Sequence, residues 1–299
     1  MASTPYILIS AVRNEEQYII QTIRSVIAQT IRPVKWIIVS DNSSDATLTI
    51  ASSFTIEHPF IQAVPHSTRR EHDFSSKVFA LRQAIELLSK TNYDFIGVLD
   101  GDITLAENYY ELLIRRFAEN PKLGLAGGML YDVCGGKEID RKSSSWSVAG
   151  GIQFFKKQCF QDLGGFVPSK YGGEDTILEV FARMHSWEVR SFREPKALHW
   201  KPTGSAQGWQ PVYAFNQGRR DYACGIILIF EVFKSLVRIN QKPYILNGLL
   251  RTLGFLWSTA VRDKRMLTRS YIYYYRKEQM SRLFTLINPF RFWQKASDH

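Results

Sequence analysis

The chain has 299 residues, 45% of them hydrophobic and 22% charged, a balance that excludes wholesale disorder and leaves room for one large domain with an appendage. Three cysteines, Cys134, Cys159 and Cys224, are too few, too scattered and odd in number for a disulfide framework or a thiolate zinc site. The charge is unevenly placed. Of 38 Lys+Arg and 28 Asp+Glu, residues 1–213 hold 23 of each sign, and residues 214–299 hold 15 basic and 5 acidic, so the excess of +10 lies in the tail. Such asymmetry predicts that the tail meets something anionic, and its many large apolar residues favour a lipid surface over nucleic acid.

Residues 6–10 read as a buried strand, and 15–29 as a helix with Ile19, Ile23, Val26 and Ile27 on one face. No basic stretch followed by an apolar core marks a signal peptide, so the cytosol is the expected compartment. Residues 36–40 read as a second strand, Asp45 opens the next helix, and 60–64 form a weak third strand. A helix is predicted over 74–89 with Phe79, Leu81, Ile85 and Leu88 on its apolar face. A fourth strand follows over 94–100, then a helix over 107–118 with Pro121 beyond its end. This alternation predicts a parallel sheet with helices on both faces, which binds ligands at the carboxyl ends of its strands. Polar or acidic residues follow three of those four strands: Arg13-Asn14-Glu15, Asp41, and Asp100-Gly101-Asp102.

The middle, 123–200, reads as mixed strands and loops. Its glycine pairs at 127–128, 135–136, 150–151, 164–165 and 172–173 predict tight turns around a site. In the tail, residues 222–233 and 245–261 are apolar but interrupted by Glu231 and Arg251, and neither reaches the length of an uncharged spanning helix. Basic residues follow each: Lys234 and Arg238, then Arg262, Lys264, Arg265 and Arg269. With Tyr271, Tyr273, Tyr274 and Tyr275, and with Phe290, Phe292 and Trp293 near the end, this composition predicts helices that lie on a membrane surface. A helical cap or a dimer interface is the alternative.

Asp100-Gly101-Asp102, at the end of an apolar strand, is the strongest chemical signal. Two neighbouring carboxylates need a compensating cation, and a hard divalent ion shared with phosphate oxygens supplies one. The alternative is an acidic turn that caps a helix. Asp41 could accept a hydrogen bond from a base or ribose, or form an Asx-turn, with Asp45 the better cap. Gly172-Gly173-Glu174-Asp175 opens a helical run over 176–185. A carboxylate there is stabilised by the helix dipole, yet a third acidic loop also predicts one carboxylate acting as a base.

In order, these are a strand then Asn-Glu, a strand then Asp-Asn-Ser-Ser-Asp, a Lys-x-x-Ala-Leu helix, an Asp-x-Asp, a Gly-Gly-Phe, and a Glu-Asp before a helix. Over residues 5–221 the chain thereby resembles the inverting family 2 glycosyltransferases of GT-A fold. The resemblance implies an α/β domain over 1–213, with a donor half to about 122 and an acceptor half beyond, followed by a basic, aromatic helical tail over 214–299. It implies donor contacts from Glu15, Asp41, Lys77 and Asp100. It further implies Mn2+ or Mg2+ on Asp102 with His199 as a second ligand, Asp175 as general base, and Glu174 beside it on the acceptor side.

Gln217-Gly218-Arg219-Arg220 is similar to the Gln-x-x-Arg of processive relatives. That implies an acceptor-side Gln217 and an Arg220 that holds the leaving diphosphate. Asp221 stands where those relatives carry Trp, so Trp209 or Tyr222 would have to stack the acceptor, and transfer of one sugar is the expected outcome. The expected partners are a nucleotide-sugar donor, UDP-linked first, a glycan or lipid-linked acceptor and an anionic membrane surface, with a homo-oligomer as a further option and no nucleic acid. A soluble transferase with a dimerising tail and a non-catalytic nucleotide-sugar-binding protein are the alternatives.

Overall fold

Continuous runs of β-branched and aromatic residues at 6–12 and 35–41 can be buried only as central strands with both faces covered, and they form the middle of the sheet. The computed structural model describes residues 4–66, 75–141, 144–201, 210–237 and 245–287. They fall into two compact units, 1–203 and 204–299. The division expected at 213 falls inside helix Gln210–Ala223, which belongs to the second unit.

The first unit alternates β1 (Tyr6–Val12), α1 (Ile19–Ile27), β2 (Lys35–Asp41), α2 (Thr47–Ser53), β3 (Ile61–His66), α3 (Ser75–Leu87) and β4 (Phe95–Val98), as the sequence pattern predicts. Then come β5 (Ile103–Leu105), α4 (Tyr109–Glu119), β6 (Leu123–Cys134), β7 (Lys137–Asp140), β8 (Phe154–Lys156), α5 (Lys157–Asp162), α6 (Glu174–Met184) and β9 (Glu188–His199). One sheet runs in the order β3-β2-β1-β4-β8-β6-β9-β5, with β7 hairpinned onto β6. The β3-β2-β1-β4 half is parallel, β8 joins β4 and β6 antiparallel, and β9 runs parallel to β6.

An aromatic cluster fills the space under β4. Tyr6, Phe95, Tyr110, Phe117 and Phe154 meet at tilted and edge-on angles, and the Tyr6 hydroxyl donates to the Ile31 carbonyl at 2.7 Å. The buried residues of α3 are Ser76, Val78, Ala80, Leu81 and Ala84, with Leu88 buried just beyond its end; Phe79 and Ile85, predicted on the apolar face, are half-buried. The glycine pairs divide by role. Those at 135–136, 164–165 and 172–173 are turns with positive φ. Gly127–Gly128 instead lies inside β6, where a methyl group on Gly128 would overlap the Pro195 carbonyl, and that pair is a packing feature rather than a turn.

The second unit holds α7 (Gln210–Ala223), α8 (Leu228–Val237), α9 (Ile245–Ala260) and α10 (Arg269–Ile287). α7 and α9 cross backbone to backbone. A methyl group on Gly218 would overlap the Arg251 carbonyl, and one on Gly254 the Phe215 carbonyl. Asp221 lies buried at this crossing. It takes Arg251 Nη2 at 2.6 Å, Lys234 Nζ at 2.5 Å, and both Nε and Nη2 of Arg220 at 3.1 Å. Glu231 completes the cluster, 3.4 Å from Arg251 and 3.6 Å from Lys234. The charges that interrupt the apolar segments in the sequence are thus one buried ionic knot. Tyr271 and Tyr275 pack on each other inside the unit at 5.9 Å, so of the predicted tyrosine belt these two face inward, and Tyr273 is exposed.

Candidate active site

The site forms where β1, β2 and β4 end, because parallel strands bring their carboxyl termini to one edge. The first two loops brace each other. Asn14 and Asn42 both adopt left-handed backbone, which asparagine tolerates, with φ of 51° in each. Asn14 Oδ1 accepts the Ser44 amide at 2.9 Å, and the Glu15 amide donates to Thr47 Oγ1 at 2.7 Å. Glu16 and Asp45 exchange bonds across the same gap: the Glu16 amide reaches Asp45 Oδ2 at 3.1 Å and the Ala46 amide reaches Glu16 Oε2 at 3.0 Å. Asp45 also takes the Thr47 amide at 3.0 Å in an Asx-turn that leads into α2, one residue ahead of the N-cap, which is Ala46 and not Asp45 as predicted.

This brace holds Glu15 over the strand ends. Its Oε1 pairs with Lys201 at 2.7 Å, whereas Oε2 is buried with no hydrogen-bond partner among the described residues. Burial pushes Glu15 up to about 7 against the pull of Lys201, and Asp102 and Asp100 push the same way. Asp41, at the end of β2, accepts Ser76 Oγ at 2.7 Å and Asn42 Nδ2 at 3.3 Å.

Asp100 meets Lys77 Nζ at 2.9 Å, and Lys77 also lies 3.9 Å from Glu174. Burial disfavours the Lys77 ammonium, but Asp100, Glu174 and Asp175 outweigh it and hold its pKa above the lysine range. Burial raises Glu174, with Lys77 opposing and Asp175 adding to the rise. Glu174 and Asp175 are the first two residues of α6, inside the first turn rather than ahead of the helix, because Gly173 caps it with φ of 92°. The Gly150–Gly151 pair separates the two acidic loops. A methyl group on Gly151 would sit 2.5 Å from Asp100 Oδ2, and one on Gly150 2.8 Å from Asp175 Oδ2.

Strand register assembles the remaining cluster. His199 faces Ile103 across β5–β9 and Asp132 across β6–β9. Its Nε2 therefore lies 3.3 Å from Asp102 Oδ2 and its Nδ1 2.8 Å from Asp132 Oδ1, and Arg141 joins Asp132 at 2.5 Å. Burial opposes the imidazolium, but Asp102 and Asp132 outweigh it and raise the His199 pKa. Sequence reasoning missed Asp132, Arg141 and Lys201, which belong to no motif; only the distant pairing of β6 and β9 brings them in.

The predicted residues thus separate into two groups. Glu15, Asp41, Lys77, Asp100, Asp102, Glu174, Asp175 and His199 all belong to the first unit. Gln217 and Arg220 lie on α7 of the second, where Arg220 forks onto its neighbour Asp221. Trp209 lies outside the described residues, as do Arg238, Phe290, Phe292 and Trp293. Tyr222, expected as a stacking surface, is buried against Phe255, and Arg265 lies over its ring at 4.4 Å, so it offers no free face. The Gly-Gly-Phe motif is structural: Phe166 packs in the core, and its carbonyl accepts both Nε and Nη2 of Arg82 at 3.2 and 2.6 Å.

The family model for glycosyl transferase family 2 matches residues 7–173, more than half of the chain. The chain belongs to glycosyl transferase family 2. Its sequence is 28% identical over 264 residues to a poly-beta-1,6-N-acetyl-D-glucosamine synthase of Staphylococcus epidermidis, a match covering 78% of this chain and 58% of that protein. The corresponding synthase of Staphylococcus aureus strain COL is 26% identical over 275 residues, 82% of this chain and 60% of that one. The glycosyltransferase chain therefore spans about three fifths of the length of these curated relatives.

Among solved structures, the Pyrobaculum calidifontis mannosyltransferase PcManGT, in complex with GDP-Man and Mn2+, aligns with a TM-score of 0.56 at 15% identity over 98% of this chain and 84% of that one. S. aureus TarS in complex with UDP-GlcNAc aligns with a TM-score of 0.55 at 14% identity, covering 72% of this chain and 65% of that one. These likenesses establish the shared GT-A-like fold, a mixed, mainly parallel sheet with flanking helices.

Proposed function

We propose that the enzyme transfers a single sugar, with inversion, from a UDP-sugar to a hydroxyl of a glycan or lipid-linked acceptor at the cytoplasmic face of a membrane. The observation that carries the reading is the convergence of Asp100, Asp102 and Asp175 at one sheet edge, with Gly150–Gly151 between the first and last. UDP-N-acetylglucosamine is the first donor to test, since the sequence relatives are named for an N-acetylglucosamine polymer and TarS was solved with that nucleotide sugar.

The donor set suits a hard divalent cation. Glu15, Asp100 and Asp102 outnumber the lysines that face them, and Glu15 Oε2 is a buried orphan among the described residues. Asp102 Oδ2 and His199 Nε2 lie 3.3 Å apart at this edge, an oxygen and a nitrogen donor that could serve the same ion. Among the described residues no three acidic, histidine or cysteine side chains close into a ready-made cage, so phosphate oxygens of the donor would have to complete a Mn2+ or Mg2+ site. Asp102, with His199 beside it, would hold the ion, which when bound would offset the charge gained by the departing diphosphate.

The protein's own groups would do the rest. Glu15 and Asp41 would orient the nucleoside. Lys77, held by Asp100 and Glu174, would face the phosphates. Asp175 would accept the proton of the acceptor hydroxyl as its oxygen bonds to the anomeric carbon and the bond to UDP breaks on the opposite side. Asp221 supports transfer of one sugar, because the position where processive relatives carry Trp is a counter-ion here.

The test separates binding from chemistry. Asp175→Asn is expected to retain the metal-dependent rise in melting temperature with UDP while transfer falls by about 100-fold or more. Asp102→Asn should lose both. An Asp175→Asn enzyme with full activity would refute the assignment of the base.

A further inference from the structure

The second unit is built with inverted polarity. In α8, Glu231 is 0% exposed and Ser235 is buried, whereas Ile229 and Leu236 are 63% and 61% exposed, with Leu228, Val232 and Phe233 beside them. In α9, Arg251 is 4% exposed and Ser258 is buried, whereas Leu249, Leu253 and Trp257 are 56%, 54% and 55% exposed, in line with Ile245, Leu246 and Leu256. The two helices are neighbours: Thr252 Oγ1 donates to Ser235 Oγ at 3.4 Å, and Glu231 and Lys234 share the ionic knot with Arg251. Each helix therefore turns its charges into the unit and its large apolar side chains out. A surface selected to face water carries the opposite arrangement.

Charge identifies the covering medium. The described acids of this unit are all matched within it: Asp221 with Arg251, Glu231 with Lys234, Asp263 with Arg219, and Glu278 with Arg282. Arg262, Lys264, Arg269 and Lys277 remain exposed, the first two directly beyond the end of the α9 stripe. The outward apolar stripe of α9 thus runs on to two exposed cations, Arg262 and Lys264. A second copy would offer these cations no free acid, because the described acids of the unit are already paired, whereas an anionic bilayer satisfies both features.

We propose that the outward faces of α8 and α9 form a monotopic docking surface, lying in the plane of an anionic membrane with Ile229, Leu236, Leu249, Leu253 and Trp257 in the acyl boundary. This deepens the proposed location at a membrane face by naming the surface that makes it. It assigns the ionic knot a structural role: Asp221, Glu231, Lys234 and Arg251 hold the helices together from within, leaving their outer faces free for lipid.

The experiment is flotation of the full-length enzyme with phosphatidylcholine vesicles containing about one third phosphatidylglycerol, beside the triple variant Leu249→Glu/Leu253→Glu/Trp257→Glu. All three positions are exposed, and far-UV circular dichroism checks that the helices persist. The wild type is expected to float, less so at high salt, and the variant's bound fraction should fall at least about tenfold. Both should keep the same UDP- and Mn2+-dependent thermal shift, so loss of docking and loss of the donor site read out separately. Equal flotation of both proteins would place lipid binding elsewhere and overturn the assignment. So would a wild type that stays with the soluble fraction and elutes as a dimer that the variant abolishes.

Discussion

At the scale of single residues, the site depends on what is missing as much as on what is present. Gly151, in the middle of the short 3₁₀ turn Gly150–Ile152, lets the Asp100 carboxylate approach the backbone, and the Asp100 amide donates to the Gly151 carbonyl at 3.0 Å. Gly151→Ala should push the Asp100 carboxylate away from Lys77 and lower kcat/KM by at least about tenfold, because small misplacement of a positioning group is costly. The melting temperature should fall as well, since the same methyl group would lie 2.8 Å from Cδ1 of the buried Ile103. An unchanged kcat/KM would show that Asp100 does not need its present position.

Glu179 carries a second residue-scale consequence. It is buried under the site, accepting the Val148 amide at 2.7 Å and Ser147 Oγ at 2.9 Å. Burial pushes it up to about 7, with Arg183 opposing. For a carboxyl raised in the folded state, the folded protein binds the proton more tightly, so stability is fully present below the unfolded value and is lost as pH rises through the folded one. The loss falls between pH 4.5 and about 7 and amounts to roughly 3 kcal/mol. Glu179→Gln removes the titration and keeps an acceptor for Val148. The variant should gain stability relative to wild type between pH 5 and pH 8, measured by urea unfolding at each; a constant difference would exclude Glu179 as the titrating group.

At the scale of elements, the α7–α9 crossing and its ionic knot form one device. Close approach at Gly218 and Gly254 leaves no room for side chains between the helices, and Asp221 is the acid that all three cations share, with Glu231 beside two of them. Asp221→Asn would leave Arg251 and Lys234 facing each other with Glu231 alone to compensate. That should cost about 3–5 kcal/mol, the usual penalty for removing one partner of a buried pair. Chemical denaturation of the full chain checks it. A loss below about 1 kcal/mol would mean that water or Glu231 takes over the role. The same knot explains why the tail helices tolerate charged residues that break their hydrophobic runs: in sequence they read as interruptions, in the fold they are the core.

At the scale of the whole molecule, local pattern and chemistry made much of the enzyme legible. The continuous apolar runs of β1, β2 and β4 fix parallel strands, and a parallel strand delivers whatever follows it to one edge. Glu15, Asp41, Asp100 and Asp102 could therefore be placed together from the strand pattern alone. The motif order led to the family because the motifs sit at strand ends, helix starts or, for Gly164-Gly165-Phe166, the turn after α5, and those are local features. Asp132 and Lys201 were out of reach. Their place depends on β9 pairing with β6 and β5 across more than sixty residues of chain, and register between distant strands leaves no periodic trace. The direction of the tail helices was hidden for a related reason. Hydrophobic spacing shows that a helix has an apolar stripe, but the spacing is the same whether that stripe points inward or outward. Asp221 and Arg251, joined across two helices, decide it here: two buried charges must meet, and meeting turns Leu249, Leu253 and Trp257 to the outside.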